Sequence, residues 1–308
     1  MTRVATYGNY QSALLDLMTA QTRASDAQER VSTQKNATDL TGFGRQSETL
    51  TALKGAQSRL HGFINTADAV TARLTTQDLA MNQVNDGVTG VRAALGSVLS
   101  TDSAGSLMLD LEGQFQSIRG GLNMRHEGAY LFSGASTTTV PVSATTLGEL
   151  AAAPDVASVF HNDTLKTVSR VAEGTTLETG FLANDIGTDI FSILRDIQAY
   201  NAGPNGPLTG KVNDTQKAFL TAQLSRIEQA GTGVVDKTAK TGSLAKQVEN
   251  LTVSQQAQLG SLDELVANRT DADMAKAVTD LQLSQIAIQA SAQVISQLRD
   301  VSLLNYLR

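Results

Sequence analysis

The chain has 308 residues, a formal net charge of -6 and no cysteine, which excludes disulfides and thiolate metal sites and argues against a nucleic-acid partner, since phosphate binding needs a basic surface. Hydrophobic residues make up 41% of the sequence but aromatic ones only 4%, with no Trp, so the apolar content of Ala, Leu and Val suits helix seams better than a thick globular core. The opening "MTRVATYGNYQSALL" has no long apolar stretch, so no cleaved secretory signal is expected, and no run of about 18 apolar residues predicts membrane insertion.

From Tyr7 the positions Tyr7, Tyr10, Leu14, Leu17, Gln21, Ala24, Gln28 and Val31 alternate steps of three and four. This is the seam spacing of a coiled-coil helix, weakened by two Gln. The following "STQKNATDLTGFG" reads as a loop. A second stripe runs from Leu50 through Leu53, Leu60, Ile64, Leu74, Met81, Val88 and Leu95 to Leu99, with no Pro between Gly44 and Gly134. A helix of about 50 residues would be roughly 75 Å long. Its glycines, among them Gly87 and Gly90, are expected to weaken it and allow bending. "STDSAGS" breaks it, and a third helix carries Leu107, Leu111, Phe115, Ile118 and Leu122.

The texture changes over 133–185, which is rich in Thr, Val and Gly and contains Pro141 and Pro154. "LKTVSRVA" and "TTLETGFLA" predict short strands with Glu-Gly between them, and "LGELAAAPDVASVF" can hold one helical turn. Helical character returns over 189–200, and after a loop Asp214 is placed to cap another long helix reaching Leu265. "NRTDADMAK" interrupts it, with Thr270 and Asp273 at capping-box spacing. The last stripe is Met274, Val278, Leu281, Gln285, Ile288, Ala292, Ile295 and Leu298, and it runs on into an apolar tail with Leu303, Leu304 and Leu307.

The plan predicts a mainly α fold with a small β-containing insertion: an elongated antiparallel helical rod with paired N- and C-terminal coiled-coil helices. The expected divisions are a terminal helical domain (1–35 and 270–308), a long-helix rod (36–132 and 186–269) and an outer β-containing domain (133–185). No catalytic, cofactor or metal site is expected. His61, His126 and His161 are scattered. "GPLTGKV" has three residues between its glycines where a phosphate loop has four, and Val212 where Ser or Thr would hold Mg²⁺. Triplets such as Asn162–Thr164 arise by chance in a Thr-rich chain. The two terminal stripes are separated from the rod by polar breaks, and an isolated amphipathic helix is marginal in water, so both are assigned to packing against a partner. The interface candidates are Tyr7, Tyr10, Leu14 and Leu17 at one end. At the other they are Met274, Val278, Leu281, Ile288, Ile295, Leu298, Leu303, Leu304 and Leu307.

The chain resembles the flagellin family of bacterial axial proteins, and within it the hook-associated members. "VSTQK" resembles the family's Ser-Thr-Gly-Lys turn, and "GAYLFSGASTTTVP" its exit into an outer domain. Residues 161–194 resemble a family segment in which Asp163, Arg170, Gly174, Asn184, Gly187 and Phe191 align, and 271–308 resembles the shared C-terminal helix. Of the acidic cluster usual after the first turn, "NATDLTGFGRQSETL" keeps only Asp39. The resemblance implies a structural subunit with no cofactor, exported through the flagellar type III apparatus to the extracellular flagellum. It further implies a ring of subunits between hook and filament that templates flagellin polymerisation. Its partners would be further copies of itself, a neighbouring hook-associated protein, flagellin, and a cytoplasmic export chaperone on the C-terminal helix. Filament flagellin itself and a secreted coiled-coil adaptor or effector remain alternative readings.

Overall fold

The computed structural model describes residues 2–304, with side chains from Gly8 to Arg299. The fold is mainly helical, with two small two-stranded sheets. Among the described residues there are seven α-helices: α1 (Thr2–Thr33), α2 (Ser47–Thr101), α3 (Leu107–Leu122), α4 (Leu147–Ala152), α5 (Ala183–Ala202), α6 (Asp214–Thr270) and α7 (Met274–Leu304). The strands are β1 (Arg125–His126), β2 (Ala129–Tyr130), β3 (Val168–Ala172) and β4 (Thr175–Glu178). The chain divides into two compact units, one made of residues 1–59 and 258–308, the other of 60–257.

In the second unit, α2 buries Met81, Val84, Val88, Val91, Leu95 and Val98, and α3 buries Leu107, Leu111, Phe115, Ile118 and Leu122. These heptad-like steps place one apolar stripe of each helix in a shared core with α5 and α6. At its centre Phe191 lies between Phe115 and Phe160, with both ring centroids 5.3 Å away. Two of the glycines expected to soften α2, Gly87 and Gly90, serve instead as contact points. A Cβ on Gly87 would sit 2.5 Å from Ile118 Cγ1, and one on Gly121 of α3 would sit 2.8 Å from the Ala80 carbonyl oxygen of α2. Only glycine lets the two helices approach this closely. Gly121→Ala is therefore expected to lower stability by about 1–3 kcal/mol through overpacking, outweighing the helix propensity gained. Urea unfolding of the variant checks this, and unchanged or raised stability would count against the close approach.

The segment 133–185 completes this core. Val142, Leu147, Leu150 and Val159 are buried within it. The β3–β4 hairpin turns through Gly174 (φ 67°) and packs Val171 and Leu177 against Ala67, Val70 and Leu74 of α2 and Leu244 and Val248 of α6. Gln255 of α6 donates to the Val171 carbonyl at 2.6 Å and holds the hairpin to the helix. The β1–β2 hairpin was not expected from the sequence. It turns through Glu127 and Gly128, both at positive φ, as a two-residue primed turn requires.

Several local expectations are corrected. Helix α6 is capped by Asn213, not Asp214: Asn213 Oδ1 accepts from Gln216 N at 2.8 Å while Gln216 Oε1 accepts from Asn213 N at 3.0 Å. This reciprocal pair satisfies two end groups at once. Helix α5 begins at Ala183, six residues before the expected start, because Asn162 Oδ1 accepts from Asn184 N. The same Asn162 donates to Asn184 Oδ1, so its amide is engaged in structure. In the 206–212 loop Leu208 is fully buried and its N–H is held by Asn201 Oδ1, which makes this loop a packed turn.

Candidate interaction surface

The first unit is built on α1 and α7, which pack antiparallel along one another. Helix α1 buries Ala13, Ala20 and Ala27 and half-buries Tyr10, Leu17, Ala24 and Val31. Helix α7 buries Ala277 and Ser284 and half-buries Leu281, Ile288, Ser291, Ile295 and Leu298. Each set advances by alternating threes and fours, so each is one heptad seam. The large positions Tyr10, Leu17, Leu281, Ile288, Ile295 and Leu298, assigned from the sequence to an interface with a partner, lie in the seam between these two helices of the same chain. The small positions lie one residue earlier than expected: Ala13 takes the place given to Leu14, and Ala277 the place given to Val278. Closely packed helices favour small side chains at the contact, and that preference overrides the larger residue's hydropathy.

The displaced residues are exposed. Leu15 is 65% exposed and Met18 62%, and both lie on the side of α1 away from its seam, while Leu14, 36% exposed, flanks the seam. On α7, Met274 and Val278 are exposed near its start, and Leu283 (59%), Ile286 (61%) and Val294 (46%) form a second apolar stripe away from the seam. Leu15, Met18, Leu283, Ile286 and Val294 were not picked out in the sequence. A readable signal was present, because residues 281–298 carry no charge at all. An ordinary solvated helix face carries charges, so an uncharged exposed face suits burial against another surface. Of the remaining candidates, the side chains of Tyr7, Leu303 and Leu304 and the whole of Leu307 lie outside the described residues.

Both terminal helices join the long helices at one place. The linker after α1 and the linker before α7 run antiparallel, pairing Lys35 with Asp271. Asn36 N donates to Thr270 O at 2.7 Å, and Ala272 N donates to Gln34 O at 2.9 Å. The Lys35 ammonium donates to Asp271 Oδ1 at 2.5 Å, and Asn36 Nδ2 to Asp271 O at 2.8 Å. Gln34 sits at φ 58°, an unusual conformation for a residue with a side chain. Thr270 belongs to the end of α6; the cap of α7 is Asp273 alone, whose Oδ1 accepts from Lys276 N at 3.1 Å. The Lys35 hydrogen bond, helped by Thr270, holds the Asp271 carboxyl below the usual 3.8. A lowered folded value means the pair contributes fully above the unfolded value and is lost as pH falls through the folded one. The backbone amides of Asn36 and Ala272 are thus expected to lose hydrogen-exchange protection below about pH 4. Protection that persists unchanged to pH 2 would contradict a contribution from the carboxylate.

Among the described residues no group of His, Asp or Glu could hold a metal ion, and no helix is long and apolar enough to cross a membrane.

Residues 224–307 match the family model described as the bacterial flagellin C-terminal helical region. Among solved structures, one described as a flagellar hook-associated protein from Vibrio parahaemolyticus is similar at TM-score 0.60 and 18% identity, over 75% of this chain and 100% of that one. FlgL of Bacillus cereus is similar at TM-score 0.53 and 16% identity, over 70% of this chain and 98% of its own. FlgL of Xanthomonas campestris is similar at TM-score 0.56 and 14% identity, over 70% and 99%. No curated protein matches the sequence. The C-terminal part of the chain thus matches the bacterial flagellin C-terminal helical region, and over most of its length the chain has the fold of the hook-associated structures.

Proposed function

We propose that the chain is the subunit that joins hook to filament. The observation that carries this reading is the fold shared with FlgL structures over nearly their whole length, combined with a flagellin-type C-terminal region. In this role copies leave the cell through the flagellar type III apparatus and form one ring. The ring meets a neighbouring hook-associated protein on one side and flagellin on the other. The pairs 1–35 and 270–308 form the inner tube, 36–132 and 186–269 the next shell, and 133–185 the outer surface.

The contacts come from the outward faces of the terminal helices. Leu283, Ile286 and Val294 are each about half exposed. Full burial of such a side chain is worth about 1.5–3 kcal/mol, so each has roughly 1 kcal/mol left to give. Association costs at least about 4 kcal/mol. One stripe on one neighbour is therefore marginal, and closure of a ring with several neighbours makes it sufficient. Before export the same faces would be covered by a cytoplasmic flagellar chaperone, as a helix lying in an apolar groove.

A deletion strain viewed by electron microscopy tests the reading. Hooks without filaments, with flagellin shed into the medium, are expected. The family match also favours a second reading, filament flagellin, in which the strain lacks filaments and sheds none.

A further inference from the structure

We propose that the paired linkers at 34–36 and 270–272 set the register of α1 against α7, which their seam alone does not. The inference is independent of the junction role. It rests on two separate observations, the repetitiveness of the seam and the directionality of the linker bonds.

The seam repeats itself. Its small positions on α1 are Ala13, Ala20 and Ala27, which are identical, and those on α7 are Ala277, Ser284 and Ser291. The large positions on α7 are Leu281, Ile288 and Ile295, which are equal in volume. Sliding α7 by one heptad moves it about 10 Å along the axis and returns each small residue opposite a small one. Each large residue likewise meets the site its neighbour left. The large positions of α1 (Tyr10, Leu17, Ala24 and Val31) differ in size, but an outward slip brings to most of its sites an α7 residue of the size that was there, losing the Ala277 layer and setting Ser291 in the place of Leu298 without a clash; only the inward slip is barred, because it sets Leu298 in the place of Ser291. Coiled coils with such uniform seams rely on a polar feature elsewhere to choose one register.

The linkers supply that feature. Their bonds are short and directional, and they link specific residues: Asn36 N to Thr270 O, Ala272 N to Gln34 O, Asn36 Nδ2 to Asp271 O and Lys35 to Asp271. A one-heptad slip would carry the linker before α7 out of reach of all of them. Lys35 and Asp271 are both about half exposed, so the clasp contributes alignment more than burial. Its position at the base of the pair also keeps Leu14, Leu15 and Met18 at a fixed height relative to Leu283, Ile286 and Val294.

The chain has no cysteine, so two can be introduced and spin-labelled without background. Ser25→Cys and Gln285→Cys lie on exposed positions of α1 and α7. Electron paramagnetic resonance on the full chain is expected to give one distance population. Adding Lys35→Ala and Asn36→Ala should produce a second population offset axially by about 10 Å, with the helical circular dichroism retained. Lys35→Arg, which keeps a cation for Asp271, should restore the single population when Asn36 is intact. One unchanged population in the double-alanine chain would overturn the proposal. So would loss of helix signal with no second population, because the linkers would then hold the fold and not its register. A split population in Lys35→Arg would overturn the part assigned to the ion pair.

Discussion

Leu283→Asp together with Ile286→Asp is expected to abolish incorporation into the flagellum while leaving α1 and α7 paired. Both side chains project from α7 on the side away from its seam, 59% and 61% exposed, within a stretch that carries no other charge. In the free chain the two carboxylates stay in water and cost little. In an assembled tube each would be buried without a cation, a loss of several kcal/mol apiece. The matched control is Ile288→Asp with Ile295→Asp, which sits on the seam. That pair should separate α1 from α7 in the isolated chain, before any assembly. Hydrogen exchange on the monomer and microscopy of the complemented strain distinguish the two. Normal filaments from Leu283→Asp/Ile286→Asp would remove the outward stripe as a docking face.

Phe191→Ala should be the most destabilising single change in the 60–257 unit. The ring is fully buried, is stacked on Phe160 and tilted against Phe115, and joins α5 to α3 and to the segment leading into β3. Removing a buried Phe costs about 3–5 kcal/mol through lost transfer and the cavity left behind. For a unit of this size that lowers the midpoint of thermal unfolding by roughly 6–20 °C. Thermal melts followed at 222 nm check it, and a drop under 3 °C would mean that the surrounding side chains collapse into the gap.

The sequence was most readable where side-chain size and periodicity agreed. The long helices, the breaks near 102 and 271 and the large seam positions Leu17, Leu281, Ile288 and Ile295 all follow from spacing alone. It was least readable where small residues carry the contact. Ala13 and Ala277 lost to Leu14 and Val278 because hydropathy favours the larger neighbour, yet close helix packing selects the smaller. Gly87 was misread for the same reason: a missing side chain weakens a helix and also admits a second one. The part of 133–185 in the core could not be read from local pattern, since Val142, Leu150 and Val159 find their partners far away in sequence.

The bond from Lys35 to Asp271 spans 236 positions of the chain. Local helices can form as soon as their residues are free, but α1 cannot meet its partner until nearly the whole chain is present. At about 5–20 residues per second, a nascent α1 waits on the order of tens of seconds for α7 to be made. Closing so large a loop is slow as well, because its entropy must be lost before the contact repays it. For that interval the chain displays a lone N-terminal helix with an unmatched seam. It is therefore most open to being held by other proteins while it is still being synthesised.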